Sequence, residues 1–222
     1  MRKKLIMLLG ALLFLGACSN QANSESESSA TAPPENREEA RVLVAYFTWS
    51  ENVGELDESS IDVDATTSAS LALPGNVGKM AQEIGGQIEA DQFSIQTVEP
   101  YSSDYDDCLD RASEEKAEAA RPALTTQVEN IDQYDVVFLG YPDWWATAPM
   151  ALFTFIEEND LSDKEVILFS SHGTSGLGSS VQDIQEQLPE STSLNENVLG
   201  VAREDSDQSE ATVTEWLETL GF

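Results

Sequence analysis

The sequence predicts an α/β domain: a parallel sheet with helices on both faces. Three observations carry that expectation. Apolar, β-branched runs recur at residues 42–47 (VLVAYF), 136–141 (VVFLGY) and 165–170 (EVILFS), as expected of strands buried on both faces. Between the runs lie segments with apolar residues at helical spacing. The small-residue and aromatic stretches follow the runs, so the chemistry falls at the carboxyl ends of the strands, where open α/β sheets bind ligands.

Residues 1–17 have the layout of a secretory signal, with Arg2, Lys3 and Lys4 ahead of an apolar core at 5–14 and small residues before Cys18. That core is too short for an ordinary spanning helix, which needs roughly 20 apolar residues. Leu15-Gly16-Ala17-Cys18 resembles the lipobox of bacterial lipoproteins, which implies cleavage before Cys18 and its lipidation. Residues 18–40 then read as a lipidated cysteine and a disordered tether, rich in Ser, Glu, Ala, Asn and Pro with no apolar period. A domain is expected over residues 41–222, long enough for a full hydrophobic core.

In order along that domain, residues 42–47 are a first strand and residues 76–87 a helix with Val77, Met80, Ala81, Ile84 and Ile88 on one face. Between them lies a polar insertion at about 51–75, far longer than the two to six residues usual for such a loop. Residues 93–98 alternate as a second strand. Tyr105, Cys108, Leu109 and Ala112 give a second helix, with the acidic run 104–110 at its start, where the helix dipole favours negative charge. The third strand at 136–141 leads through a tryptophan loop to a helix ending near Glu157. A fourth strand at 165–170 enters a Gly/Ser loop at 171–180 and a helix carrying Val181, Ile184 and Leu188. A short fifth strand at 198–202 and a helix carrying Val213, Trp216, Leu217 and Leu220 finish the chain.

Charge narrows the function. The formal net charge is −30, and loss of the leader leaves 8 basic side chains against 41 acidic ones. Such a chain repels phosphate backbones, so nucleic acid is not an expected partner. Two cysteines and one histidine leave no Cys/His metal framework, so no metal is expected. With Cys18 lipidated, Cys108 is a lone thiol on an apolar helical face, read as core, as is Trp216.

Three loops share the carboxyl edge. The first, Thr48-Trp49-Ser50-Glu51-Asn52-Val53, offers hydroxyls and backbone amides for an anion. The second holds Trp144 and Trp145, whose faces need cover. The third, Ser171-His172-Gly173-Thr174-Ser175-Gly176, has the small residues that let backbone approach a ligand. Together they suggest a phosphorylated, planar, aromatic ligand.

The stretches VLVAYF, GYPDWWATAPM (140–150), SHGTSGLGSS (171–180) and the segment from Pro100-Tyr101 to Arg121-Pro122 resemble the flavodoxin family, over essentially residues 41–222. The resemblance implies a flavodoxin-like, doubly wound parallel five-stranded sheet of order 2-1-3-4-5, with FMN at the edge where the order reverses. Carried over by position, Thr48, Ser50 and Asn52, with Trp49 in the same loop, would hold the phosphate. Pro142, Trp144, Trp145, Ala146 and Thr147 would flank the ring, with Ser171, His172, Gly173 and Gly176 on its other side. The chain departs from the family at Glu51 and Val53, where a glycine and a threonine are usual. Either Asn76 and the Val77 amide complete a phosphate loop split by the insertion, or phosphate binding has weakened. A carboxylate 4 Å from a phosphate costs about 1 kcal/mol per charge pair in water and more when dry, so Glu51 must point away if FMN binds.

The function expected is an extracytoplasmic, membrane-anchored FMN protein that transfers electrons, with no residue needed as nucleophile or general base. Negative charge around a flavin lowers its reduction potential. The partner is then a redox protein, or a small quinone or nicotinamide substrate if the chain is an FMN-dependent NAD(P)H or quinone oxidoreductase. A flavodoxin-fold binding lipoprotein that has lost FMN is the third reading.

Overall fold

The computed structural model describes residues 37, 39–54 and 71–222. The expected signal at 1–17, Cys18 with most of the expected tether, and most of the 51–75 insertion lie outside the described residues. Among these the strands are β1 (Val42–Tyr46), β2 (Asp91–Ser94), β3 (Val136–Pro142), β4 (Glu165–His172), β5 (Ser193–Leu194) and β6 (Leu199–Ala202). The helices are α1 (Gly75–Ile88), α2 (Tyr105–Ala117), α3 (Met150–Glu158), α4 (Ser180–Gln185) and α5 (Ser209–Leu220).

All strand pairs are parallel, in the order β2-β1-β3-β4 followed by an edge position shared by two short strands. β5 pairs with Glu165 and Val166 at the start of β4, and β6 pairs with Phe169 to His172 at its end. The expected 2-1-3-4-5 order is therefore present, with a sixth strand that the sequence reading did not contain. The division falls at Asn195 and Asn197. The Asn195 side chain donates to Glu165 Oε1 at 2.7 Å and accepts from the Asn197 amide at 2.9 Å. That local turn takes the chain out of the ladder between the two strands.

Burial explains the apolar runs. β1 sends Val42, Val44 and Tyr46 to one face and Leu43 and Ala45 to the other, and β3 divides in the same way. α1 and α5 cover the first face, and α3 with its neighbours the second. Val136, Val137, Phe138 and Leu139 are all completely buried, so this strand shows no polar alternation. α1 buries Val77, Met80, Ala81 and Ile84, the stripe read from spacing. α2 opens on Asp104, whose carboxylate accepts from the Asp107 amide at 3.1 Å, the usual role of an aspartate at an N-cap.

The second strand differs from expectation: it runs over Asp91–Ser94 rather than 93–98. The Ile95 amide still reaches Tyr46 O at 2.8 Å, but Thr97 N is captured by Asn52 Oδ1 at 2.8 Å and Val98 N by Ala123 O at 2.8 Å. Those bonds turn the chain away from the sheet. Arg37, just ahead of the expected domain start, already packs on the domain. Its guanidinium meets the buried Glu165 carboxylate at 2.8 Å and lies 4.8 Å from the Phe222 ring centroid.

Two glycines predict opposite responses. A Cβ on Gly140 in β3 would lie 2.2 Å from the Phe169 ring, whereas one on Gly86, exposed in α1, would meet nothing within 4 Å. In urea unfolding, Gly140→Ala should cost about 1–3 kcal/mol through overpacking. Gly86→Ala should add about 0.5–1 kcal/mol through helix propensity.

Candidate functional site

A cavity of about 450 Å³ opens at the carboxyl edge of the sheet, between the ends of β1, β3 and β4. Its size falls within the roughly 300–1,000 Å³ common for small-molecule and cofactor sites. Eleven of the fifteen non-lipid residues expected at the site line it: Thr48, Trp49, Asn76, Val77, Pro142, Trp144, Trp145, Ala146, Ser171, His172 and Gly173.

The anion side is built from two segments far apart in sequence. Thr48 leaves β1 in extended conformation, and its hydroxyl lies 3.1 Å from Ser50 Oγ. α1 begins beside it: a Cβ on Gly78 would lie 3.7 Å from Thr48 Cγ2. Pro74 supplies no side-chain hydrogen bond to cap this helix. First-turn amides at the positive end of a helix dipole suit an anion. Asn76 Nδ2 donates to Ser171 Oγ at 3.3 Å, tying this corner to the end of β4.

Glu51 is off this wall. Its carboxylate accepts from Tyr46 OH at 3.2 Å and from Ser94 Oγ, toward the β2 side of the sheet. Burial, and then the neighbouring Glu51, push the Tyr46 phenol up to about 12.

The aromatic side is a reverse turn. Trp144 and Thr147 exchange backbone hydrogen bonds of 2.9 and 3.1 Å, and Trp145 and Ala146 between them have φ of 54° and 63°. Glycine, asparagine or aspartate is usual there; for other residues left-handed backbone costs roughly 1–2 kcal/mol. Neighbours hold the turn. Ala146 O accepts from the Ser179 amide at 2.8 Å and from its hydroxyl at 3.1 Å. Thr147 Oγ1 donates to Asp183 at 2.6 Å. From α2, Lys116 donates to Trp145 O, while Trp145 Nε1 donates to Leu109 O at 3.0 Å. Trp144 packs edge-on against Phe47 and Tyr101, with centroids 5.4 and 5.3 Å away. Trp145 stays 49 % exposed at the rim.

Four expected residues are off the cavity wall. Ser50 is buried behind Thr48. Asn52 spends its amide on Thr48 O and Ile95 O, both at 2.9 Å, and its oxygen on Thr97, so it braces the first loop instead of facing a ligand. Thr147 is turned to Asp183. Gly176, at φ 62°, shapes the third loop, where it is conformationally suited.

Other residues on the wall were not expected there. Tyr105, Cys108, Leu109 and Ala112 line it from α2. They form the apolar face that spacing assigned to core, and spacing does not distinguish core from pocket. Burial pushes the Cys108 thiol up to about 12, despite the opposing Arg111, so it is a packing residue rather than a nucleophile. Asp143, Thr174, Ser175 and Arg203 complete the lining. Asp143 had a readable signal, a carboxylate between Pro142 and Trp144 after a buried strand. Arg203 had none.

Asp143 Oδ2 accepts from Ser175 Oγ at 2.8 Å, and its buried Oδ1 has no partner among the described residues. Burial holds this carboxyl above the usual range, opposed by the Ser175 hydrogen bond and by His172 and Lys116.

The sequence profile of the family described as Flavodoxin matches residues 65–220. No curated protein matches the chain. Among solved structures, a candidate flavoprotein from Bacteroides eggerthii is 28% identical, with a TM-score of 0.60 over 82% of this chain and 99% of its own. A second, from Bacteroides uniformis, is 24% identical with a TM-score of 0.60 over 81% and 98%. A Lactobacillus acidophilus flavoprotein in complex with FMN is 18% identical, with a TM-score of 0.51 over 78% and 99%.

The Asp143 environment sets a pH signature. Its carboxyl is protonated more readily in the folded chain than in the unfolded one. The penalty is therefore absent at low pH and grows as pH rises through the folded-state value. Asp143→Asn should raise the unfolding midpoint of the ligand-free chain at about pH 7 and leave it near wild type at about pH 3. An unchanged or lower midpoint at neutral pH refutes this.

Proposed function

The chain belongs to the flavodoxin family, and from that premise we propose that it binds FMN in this cavity and passes electrons through it while tethered to the outer face of a bacterial cell membrane. The observation that carries the reading is the meeting, in one cavity, of the first-turn residues Asn76 and Val77 of α1 with a pair of tryptophans. The donor set fits the group. The first-turn amides of Asn76 and Val77, with the Thr48 hydroxyl, hold the phosphate, and Trp144, Trp145 and the 171–173 segment flank the ring. The turned-away Glu51 supports the same reading, because the chain's departure from the family at that position then puts no carboxylate on the phosphate.

When bound, FMN supplies one- and two-electron redox chemistry. The protein's part is position and environment. Tyr105, Leu109 and Ala112 exclude water on the α2 side, the clamped Trp144–Thr147 turn fixes one wall, and Trp145 offers an aromatic edge at the rim for an incoming partner.

The anchor is Cys18. Arg37 pairs with Glu165, the first residue of β4, whereas the cavity lies at the other end of the strands. A tether from Cys18 to Arg37 spans at most about 70 Å, and it joins the domain at the pole opposite the cavity. That arrangement favours a protein partner or a small molecule outside the bilayer.

Titration of the purified full chain with FMN should quench tryptophan fluorescence and leave flavin absorbance on the protein. No quenching up to high-micromolar FMN would leave the reading of a flavodoxin-fold lipoprotein that has lost FMN. Turnover of NADH or NADPH with a quinone would replace the carrier with an oxidoreductase. For the anchor, Cys18→Ala should move the chain from the membrane fraction to the soluble one, and continued membrane association would overturn it.

A further inference from the structure

One carboxylate on the cavity wall lacks the partner that its burial calls for. Asp143 follows β3 directly, and its amide donates to Ser171 O at 2.9 Å, which fixes its backbone against the end of β4. Its two carboxylate oxygens have different surroundings. Oδ2 accepts from the hydroxyl of Ser175, an exposed residue, at 2.8 Å. Oδ1 is buried and has no partner among the described residues. An ionised oxygen left in that state is costly, and a proton on the carboxyl removes most of the cost.

The groups facing it come from several elements. His172 at the end of β4 and Lys116 on α2 favour the ionised form, as does the Ser175 hydrogen bond. Arg203, after β6, shares the wall. Tyr141 of β3 is a neutral phenol that burial pushes up to about 12. Among the described residues none forms an ion pair with Asp143. Burial outweighs the favourable neighbours, and the carboxyl stays above its usual range.

Electrons would shift that balance. Two electrons delivered to a flavin with a single proton add one negative charge to the cavity. A like charge nearby favours the neutral form of a carboxyl, and in a chain of formal net charge −30 the surrounding field opposes the added charge as well.

We propose that Asp143 is a redox-linked proton site, whose Oδ1 takes a proton from solvent as electrons enter the cavity and returns it as they leave. For each electron pair from the donor, one proton goes to the ring and one forms an O–H bond on Asp143, so the charge of the cavity is unchanged. On oxidation that O–H bond breaks and its proton goes back to solvent, on the side that Ser175 exposes. The proposal rests on the FMN reading and makes the same site sensitive to pH.

The test is the midpoint potential of the FMN-loaded full chain from about pH 4 to about pH 9 for wild type, Asp143→Asn and Ser175→Ala, with proton uptake on reduction followed by an indicator dye. Asparagine matches the protonated carboxyl in shape and charge. Wild type and Asp143→Asn should therefore coincide at low pH, where Asp143 is protonated with or without electrons. As pH rises the wild-type potential should fall below that of the variant, and the gap should level off once the carboxylate is ionised in both redox states. Within that window wild type should take up about one more proton per electron pair than Asp143→Asn. Ser175→Ala removes a bond that favours the ionised form, so it should move the window to higher pH. A gap that is the same at every pH, or a gap without the extra proton, overturns the proposal. So do coincident curves throughout. Should Asp143→Asn not retain flavin, Ser175→Ala decides: a window moved upward supports the proposal and an unmoved one overturns it. Each of these failures leaves the FMN reading standing, whereas wild type that retains no flavin sinks both.

Discussion

The turn at Trp144–Thr147 holds a tryptophan and an alanine in backbone conformations that ordinarily call for glycine, and the site's geometry depends on its being held there. Its grip is distributed. Ser179 and Asp183 take it from the loop and helix after β4, and Lys116 and Leu109 take it from α2. Gly178 completes the contact, since a Cβ at that position would stand 2.4 Å from Ala146 O. Backbone strain persists where surrounding structure over-determines it, and such places cluster at ligand sites. The clamp sets Trp144 edge-on to Phe47 and Tyr101 and brings Trp145 to the rim.

Polar side chains near the cavity divide into those that build it and those that face into it. Asn52 belongs to the first group, joining the end of β1 to the segment after β2 through Thr48 O, Ile95 O and Thr97. Glu51 is held by Tyr46 and Ser94, so a residue that looked like an obstacle to an anion contributes instead to the sheet edge. Asp143 and Arg203 belong to the second group. Among the described residues the cavity lining thus carries one carboxylate and one guanidinium, in a chain of formal net charge −30.

The site was legible in part, and the divisions are physical. The tryptophan pair and the Gly/Ser loop could be read because each follows a strand whose burial pattern is local, whereas the Asn76-Val77 fragment was legible as part of the site through the family resemblance. The junction of Thr48 with α1 across the insertion could be read only through the family resemblance, since nothing in the spacing of residues 48 and 76 brings them together. The α2 wall was visible as an apolar stripe, but its second duty as a cavity face depends on where Trp145 lies.

The sequence by itself determined the parallel sheet and the edge that carries the chemistry, while the strand order came only through the family resemblance. Strands buried on both faces must be apolar throughout, and covering helices must carry an apolar stripe, so these constraints are written in neighbouring residues. Tertiary structure alone decided the division of the edge strand between β5 and β6, the diversion of Asn52 and Glu51 from the cavity, and the arrival of Arg203 at its wall. Each turns on a hydrogen bond or contact between residues distant in sequence. A polar side chain has several possible partners, and only the packed chain selects among them.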